Sequence, residues 1–253
     1  MRACLVNAIM PKKLATKTAT STTTKTRGNN PTHDVPAARD KSSSRPSRRA
    51  PKSSANRKAS TVIELKCATD VLAALRHAVH IDRAPNRHMV INLEAVGIEA
   101  PVKAVGRLMK LMRDGLRRRG VELCYIWVRE VGEIVGEHVH ILFHLPHEQS
   151  DWFARRKSGW LKLCGAKPKR GASITRIIRG AGTVNGSQVT SRELFEVNLR
   201  NVTAYVLKHC STDVQRHLGI ISEGPCPVVG KRVSISENLH RVARTQCPHC
   251  ISH

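Results

Sequence analysis

The sequence has 253 residues, with 43 Lys and Arg against 19 Asp and Glu, which gives a formal net charge of +24. That length suffices for one main domain whose core needs no disulfides. A charge this large is atypical of an ordinary soluble enzyme and predicts a polyanionic partner, nucleic acid ahead of an anionic membrane surface. No apolar run is long enough to span a membrane, and the first apolar segment lacks a secretory cleavage site. We therefore expect a cytoplasmic protein with reduced cysteines and no membrane partner.

The first 60 residues form a basic segment with seven Lys, seven Arg, two Asp and no aromatic residue. A segment with so few apolar side chains cannot bury enough surface to order itself. The composition therefore predicts a disordered basic arm over 1–60 that holds DNA through its phosphates. A solvated tail and an organellar transit peptide are the alternatives.

Apolar content rises from residue 61 onward, and its periodicity predicts the remaining elements. Helices are predicted at 61–81, 101–120, 147–165 and 192–210. Strands are predicted at 87–95, 121–130, 138–146 and 172–180, with an exposed loop at 181–191. The Gly-containing turn between the second and third of these strands indicates a hairpin.

Hairpins mixed with helices, rather than strict alternation of strand and helix, favour an α+β fold with helices packed on an antiparallel sheet. The main domain is predicted to span 61–245, followed by a Cys/His tail at 246–253. Cys247 and Cys250 in that tail have zinc-ligand spacing but lack a matching second pair. A reduced tail is therefore preferred over a zinc site.

The stretch "EHVHILFHLP" (137–146) places three histidines on one face of a predicted strand. Side chains alternate in a strand, so His138, His140 and His144 share one side and the apolar residues between them share the other. Two adjacent imidazoles on a rigid strand suit the capture of a divalent metal ion. Ordinary hydrogen-bonded histidines are the alternative reading.

A third metal ligand is expected from the partner strand of the hairpin. Glu130 and Glu133 are the candidates, and Glu130 is preferred because the turn folds it back beside the histidine pair. Glu137 should point to the opposite face. Two histidines with one carboxylate suit Fe(II) in an oxygenase, or Mn²⁺ or Mg²⁺ with a phosphate substrate, and the basic chain favours the latter.

A polar stripe on the last predicted helix carries Tyr205. Asn198, Asn201, Tyr205 and Lys208 recur at helical spacing beside an apolar stripe. A phenol is a poor nucleophile at neutral pH unless a nearby positive charge favours the phenolate. Attack on phosphorus would give a phosphotyrosine link, whereas a tyrosine that merely anchors the helix at the core edge is the structural alternative.

Three short motifs occur in the order found in the HUH endonucleases: "HMVINLE", "EVGEIVGEHVH" and "YVLK". In particular, residues 85–245 resemble the single-tyrosine rolling-circle replication initiators (Rep proteins) of small plasmids and phages. The first motif departs from the family pattern because "VINLE" lacks the hydroxyl residues often present there. No chemical role is assigned to it.

The resemblance implies a sheet of about five antiparallel strands flanked by helices. It also implies that His138 and His140 bind Mg²⁺ or Mn²⁺, that Glu130 is the acidic third ligand, that Tyr205 is the nucleophile and that Lys208 accompanies it. The implied activity is site-specific nicking and rejoining of single-stranded or hairpin origin DNA through a 5′-phosphotyrosine, in a bacterial cytoplasm. The sequence has no phosphate-binding loop of the helicase type, so a host helicase is expected beside the host polymerase.

The small number of aromatic residues favours phosphate contact over base stacking. The predicted DNA contacts are basic side chains outside the arm, namely Lys103, Arg107, Lys110, Arg155, Arg156, Lys231 and Arg232. An HUH-type transposase or relaxase would use the same chemistry on other DNA. A non-catalytic basic nucleic-acid-binding protein and a metal-dependent oxygenase are the rival readings from other classes, and the oxygenase leaves the charge unexplained.

Overall fold

The computed structural model describes most of the predicted main domain. The described residues are 59–167, 169–180, 183–184, 187–188 and 191–245. The predicted basic arm, apart from its last two residues, lies outside these ranges, as does the tail with Cys247 and Cys250. Those last two residues, Ala59–Ser60, form a short strand that pairs antiparallel with Val228–Val229.

The helices within the described ranges are α1 (Leu65–His80), α2 (Pro101–Arg117), α3 (Ser150–Leu163), α4 (Arg192–Val206), α5 (Thr212–Leu218) and α6 (Arg241–Thr245). The strands are β1 (Ala59–Ser60), β2 (Arg87–Asn92), β3 (Tyr125–Gly132), β4 (Gly136–Phe143), β5 (Ser173–Ile177), β6 (Thr183–Val184), β7 (Ser187–Gln188), β8 (Val228–Val229) and β9 (Val233–Ile235). Short 3₁₀ helices lie at His147–Gln149 and Glu237–Leu239. Across this part of the chain, no helix has both the length and the apolarity needed to cross a membrane.

The centre of the fold is a five-stranded sheet with the order β5-β2-β4-β3-β9. Each neighbouring pair of strands is antiparallel. Helices flank this sheet, so the predicted α+β architecture with about five antiparallel strands is confirmed. The predicted β3–β4 hairpin is also present, and β4 lies at the middle of the sheet.

One face of the sheet packs against α2 and α3. Val139, Ile141 and Phe143 of β4 are fully buried there, together with the apolar stripe of α2. Removing each such side chain from water stabilises the fold by about 1.5–3 kcal/mol. The α2 helix begins at Pro101, whose missing N–H suits a first helical position, and the chain turns away at Gly120, where φ is 71°.

The opposite face of the sheet packs against α1, α4 and α5. Leu142 of β4 is buried in this second core with Leu72 of α1 and Leu199 and Val206 of α4. Strand alternation thus divides β4 between two cores. Along the second face, the residues that precede Leu142 are His140 and His138, so the histidine pair lies at the border of this core.

The fold differs from the sequence prediction in several places, and α5, β8 and α6 all lie beyond the last predicted element. The α4 helix ends at Val206, four residues before the predicted Cys210, because the chain leaves the helix to bond with the segment before α1: Ile63 N–H donates to the His209 carbonyl at 2.8 Å. The predicted loop at 181–191 contains the antiparallel pair β6–β7, and an Asn-Gly dipeptide, a strong hairpin signal, stands between these strands in sequence. The edge strand β9 falls in a segment for which no element is predicted.

Candidate metal and tyrosine site

The register of the β3–β4 hairpin brings one carboxylate and two imidazoles together. Glu130 is directly opposite His138 and diagonal to His140, and all three side chains project from the same face. The Glu130 Oε1 atom lies 2.5 Å from His138 Nε2 and 2.9 Å from His140 Nε2. One ligand atom from each residue falls within 4.8 Å of the others, so the three can converge on a single ion.

This cluster fits a divalent metal ion by burial and by donor chemistry. Glu130, His138 and His140 are 2%, 6% and 2% exposed. The second carboxylate oxygen, Glu130 Oε2, is buried without a hydrogen-bond partner, which is unfavourable unless another group compensates it. Two imidazoles and one carboxylate form a ligand set that divalent ions accept.

The second ring nitrogen of each imidazole, Nδ1, also has a hydrogen-bond partner. His138 Nδ1 lies 2.9 Å from the Gly136 carbonyl, and His140 Nδ1 lies 3.0 Å from His88 Nε2. Gly136 has a φ of 66°, and a Cβ at this position would run into the carboxylate of Glu94. Glycine is therefore favoured where the turn presents its carbonyl to His138.

The charges in the cluster influence one another strongly. Burial raises the pKa of Glu130, but its hydrogen bonds with His138 and His140 outweigh burial and hold the pKa well below its usual range. Burial lowers the pKa of His138, yet the bond to Glu130 leaves it above its ordinary value. For His140, burial prevails and the pKa falls. Burial, with His140 nearby, lowers the pKa of His88 to about 4.

Tyr205 lies beside this cluster, in the last turn of α4. Its side chain is 45% exposed, and its ring centroid is 5.3 Å from that of His140 and 6.5 Å from that of His88. Leu199 and Val206 anchor α4 in the second core. The helix thereby presents the tyrosine at the rim of the cluster, half open to solvent.

Lys208 lies just beyond the end of α4 and links the tyrosine to the carboxylate. Its Nζ is 4.5 Å from the Tyr205 ring centroid, 3.5 Å from Glu130 Oε1 and 3.0 Å from Glu223 Oε2. Burial lowers the pKa of Lys208, but the bond to Glu223 and the charge of Glu130 raise it above its ordinary value. The ammonium group therefore stays charged beside the phenol.

The other candidates from the sequence fall outside the cluster. Glu133 is exposed in the hairpin turn, so Glu130 is the carboxylate that lies next to the histidine pair. Glu137 points to the opposite face, as predicted, and accepts a hydrogen bond from Arg129 Nε at 2.7 Å. His144 bonds through Nδ1 to the Ala84 carbonyl at 3.0 Å and is not among the three clustered ligands.

Most of the predicted DNA-contacting residues are exposed but lie on the other side of the sheet from Tyr205. The helices α2 and α3 that carry them pack on the face opposite the cluster. Lys231 belongs to the same side, with its Nζ 5.8 Å from the Trp127 ring centroid. The predicted contacts on this side, all of them exposed, are Lys103, Arg107, Lys110, Arg155, Arg156 and Lys231.

Arg232 is a correction to the sequence prediction. It is 6% exposed, and its guanidinium donates to Ser60 Oγ at 3.2 Å, to the Ser60 carbonyl at 2.5 Å and to the Cys226 carbonyl. A side chain buried in this way cannot reach a DNA phosphate. Its role is to join β1 to the segment before β9.

Sequence reasoning missed several groups around the cluster. His88 belongs to "HMVINLE", the motif to which no chemistry was assigned, and His209 Nε2 lies 3.6 Å from Glu130 Oε2. Arg176 of β5 is paired with His88 and exposed, so it projects from the Tyr205 side of the sheet. Alternation within β2 could have placed His88 on one face, but only the pairing of β2 with β4 and β5 brings these residues together.

No protein-family model matches the chain, and no curated protein matches it. Among solved structures, the N-terminal nuclease domain of non-structural protein 1 from minute virus of mice matches at 12% identity. The match covers 53% of this chain and 68% of that chain, with a TM-score of 0.28. The report of that structure describes Zn²⁺ coordination in its active-site pocket and DNA recognition at the origin of replication. A TM-score this low establishes neither a shared fold nor a shared activity.

Proposed function

We propose that the protein is a metal-dependent DNA endonuclease and strand transferase of the HUH type, acting as a rolling-circle replication initiator. The observation that carries the proposal is the position of Tyr205, whose ring lies 5.3 Å from that of His140 in a buried cluster of two histidines and one carboxylate. The charge of +24 supports DNA as the partner.

Glu130, His138 and His140 would hold the divalent ion, Mg²⁺ or Mn²⁺. Such an ion, when bound, would supply polarisation of the scissile phosphate and stabilisation of the charge that develops on it in the transition state. The buried position of the three ligands excludes water from the side of the cluster that faces the core. Their strands fix the ligand positions before DNA arrives, which favours a precisely oriented reaction.

Tyr205 supplies the nucleophile in this proposal. Its phenol oxygen attacks the phosphorus in line, the new tyrosyl O–P bond forms, and the bond from phosphorus to the 3′ oxygen breaks. The phenol proton leaves to solvent, which the half-exposed side chain reaches, and the departing 3′ oxygen takes up a proton to become a free 3′-OH. The Lys208 ammonium stabilises negative charge on the tyrosine oxygen during the attack.

The covalent intermediate accounts for rejoining as well as nicking. A 5′-phosphotyrosyl bond keeps the energy of the broken phosphodiester, so a later 3′-OH can displace Tyr205 and close a circle. A host polymerase would extend the first 3′-OH, and a host helicase would unwind the duplex ahead of it. A hydrolytic nuclease would release the 5′ end to water and could not close the product.

DNA on both sides of the sheet is part of the proposal. Arg176, on the same face as the cluster, would contact phosphates of the strand that enters the site. The basic residues on the α2 and α3 side, and the arm at 1–60, would instead hold flanking DNA. Phosphate contacts of this kind make binding strongly dependent on salt.

The test is formation of a covalent adduct. Labelled single-stranded origin DNA from the parent replicon is incubated with Mn²⁺ and the protein, and a denaturation-resistant protein–DNA species is expected. The sequence contains two tyrosines, and the second one, Tyr125, packs on the α2 side of the sheet. Tyr205→Phe should abolish the adduct, and Tyr125→Phe should keep it.

The outcomes separate the rival functions. Salt-dependent DNA binding without any adduct, for any DNA of the replicon, would identify a non-catalytic binding protein instead. An adduct that persists in Tyr205→Phe would assign the nucleophile to another residue. A hairpin origin beside the gene supports an initiator, whereas terminal palindromes around the gene support a transposase.

A further inference from the structure

The two histidines of the cluster use the same nitrogen toward Glu130 and differ in what holds the other nitrogen. Both place Nε2 within 2.9 Å of Glu130 Oε1. For His138, the outer nitrogen Nδ1 lies 2.9 Å from a backbone carbonyl, that of Gly136. For His140, Nδ1 lies 3.0 Å from the side chain of another histidine, His88.

A metal ion constrains the proton on each ring. Nε2 can donate its lone pair to an ion only when it carries no proton, so the neutral ring must carry its proton on Nδ1. That Nδ1–H needs an acceptor, because an unpaired donor is unfavourable at a position as buried as His140, which is 2% exposed. The Gly136 carbonyl is such an acceptor for His138, and His88 Nε2 occupies the same place for His140.

We propose that His88 is a positioning residue of the metal centre, which accepts the Nδ1–H of His140 and so holds that ring in the orientation and tautomer that ligate the ion. The inference rests on the proposed function, since it requires the metal site. It gives a role to the "HMVINLE" motif, which had none assigned because it departs from the family pattern.

The geometry around His88 suits this role. In the β2–β4 pairing, Val90 is opposite His140 and His88 is opposite Leu142, so His88 is the diagonal neighbour of His140 on the same face. The two rings stack with centroids 5.2 Å apart and planes 27° apart. Both residues belong to central strands of the sheet, and rigid elements of this kind hold ligands more accurately than loops do.

An imidazole also offers something that a carbonyl does not. Without an ion, the Glu130 carboxylate favours a proton on His140 Nε2, and Nδ1 of the neutral ring then accepts a hydrogen bond from His88. With an ion on Nε2, the proton must be on Nδ1, and His88 becomes the acceptor. A histidine at position 88 can complement both tautomers, whereas the Gly136 carbonyl can only accept.

The experiment uses the full chain with matched variants. His88→Gln keeps a group that can donate or accept, and His88→Leu keeps similar bulk without either ability. His144→Leu is the control. His144 directly follows β4 and also forms a hydrogen bond through Nδ1, in its case with the Ala84 carbonyl. Co²⁺ affinity is measured by titration of its visible absorption, and circular dichroism and thermal unfolding of the metal-free proteins monitor the fold.

We expect His88→Leu to bind Co²⁺ about 10–100-fold more weakly than the wild type, which is the range for loss of a group that orients a metal ligand. His88→Gln and His144→Leu should stay close to the wild type. Long-range ¹H–¹⁵N NMR of the Zn²⁺-loaded wild type should assign the His140 proton to Nδ1. This tautomer readout depends neither on activity nor on a variant that must fold.

Two results would overturn the role of His88 while leaving the metal site in place. One is equal Co²⁺ affinity of the wild type and His88→Leu, and the other is a Zn²⁺-loaded His140 without a proton on Nδ1. Absence of Co²⁺ binding to the wild type would instead overturn the metal site of the proposed function together with this inference. Metal binding by the wild type without adduct formation would count against the nuclease proposal alone.

Discussion

Replacing Arg232 with methionine should destabilise the protein without weakening DNA binding directly. Replacing its neighbour Lys231 with methionine should weaken DNA binding without destabilising the protein. The two basic residues are adjacent in sequence but differ in environment. Lys231 is exposed, whereas Arg232 is buried and bonds to Ser60 of β1 and to Cys226. Methionine preserves much of the apolar length of either side chain, so the comparison isolates the charged head group.

The expected magnitude follows from the hydrogen bonds of Arg232. Its guanidinium donates to two backbone carbonyls and one hydroxyl, at Ser60 and Cys226, and bonds to charged groups each contribute about 1.5–3 kcal/mol. Burying the charge opposes this gain, and burial indeed lowers the pKa of Arg232. We therefore expect Arg232→Met to lower the unfolding free energy by about 2–4 kcal/mol, less than the sum of the bonds.

Chemical denaturation of the metal-free protein measures this free energy, and calorimetry measures the thermal unfolding midpoint, Tm. For a domain of this size, the expected loss corresponds to a Tm lowered by about 4–16 °C. Lys231→Met should unfold within about 0.5 kcal/mol of the wild type, as surface substitutions usually do, and should reduce the salt slope of DNA binding. Wild-type stability of Arg232→Met, with loss of DNA affinity at a temperature where it is folded, would refute the buried role.

Three further predictions concern the hairpin turn, the DNA path and the metal. Gly136→Ala should lower the unfolding free energy in chemical denaturation by about 1–2 kcal/mol because of the left-handed φ at this position, and it should weaken Co²⁺ binding through His138. Gly106→Ala, in the open middle of α2, should instead raise the unfolding free energy by about 0.5–1 kcal/mol. Equal effects of the two substitutions would contradict backbone strain at Gly136. Arg176→Ala should lower single-stranded DNA affinity and reduce the slope of log affinity against log salt by about 0.7, and an unchanged slope would remove that contact. Mn²⁺ at about 100 times its Kd should raise the unfolding free energy of the wild type by about 2.7 kcal/mol but leave His138→Leu unchanged, and stabilisation of both proteins would mean that Mn²⁺ binds elsewhere.

The sequence could predict those parts of the fold that local periodicity determines. Alternation in β4 and the Gly-containing turn before it specify the β3–β4 hairpin, and the apolar stripe of α2 specifies a helix with one buried face. The position of β9 was not predictable, because a strand of three residues carries little periodicity. Its place at the sheet edge depends on pairing with β3, about a hundred residues earlier in the chain.

In the candidate site, too, local contacts could be predicted from the sequence and long-range contacts could not. Glu130 could be placed beside His138 because both belong to one hairpin, whose turn sets the register. His88 could not, since its contact with His140 spans 52 residues and depends on the pairing of β2 with β4. Charge was also ambiguous: the sequence "GKR" contains Lys231 and Arg232, and nothing in it distinguishes the exposed side chain from the buried one.

Mass spectrometry of the adduct tests whether Tyr205 becomes covalently joined to DNA. The protein is reacted with single-stranded origin DNA and Mn²⁺, the DNA is trimmed with nuclease, and the protein is digested with trypsin. Cleavage after Arg200 and Lys208 releases the peptide NVTAYVLK. We expect a 5′-linked nucleotide on the tyrosine of this peptide, and a nucleotide found on Tyr125 or on a serine or threonine would contradict the assignment of Tyr205 as the nucleophile.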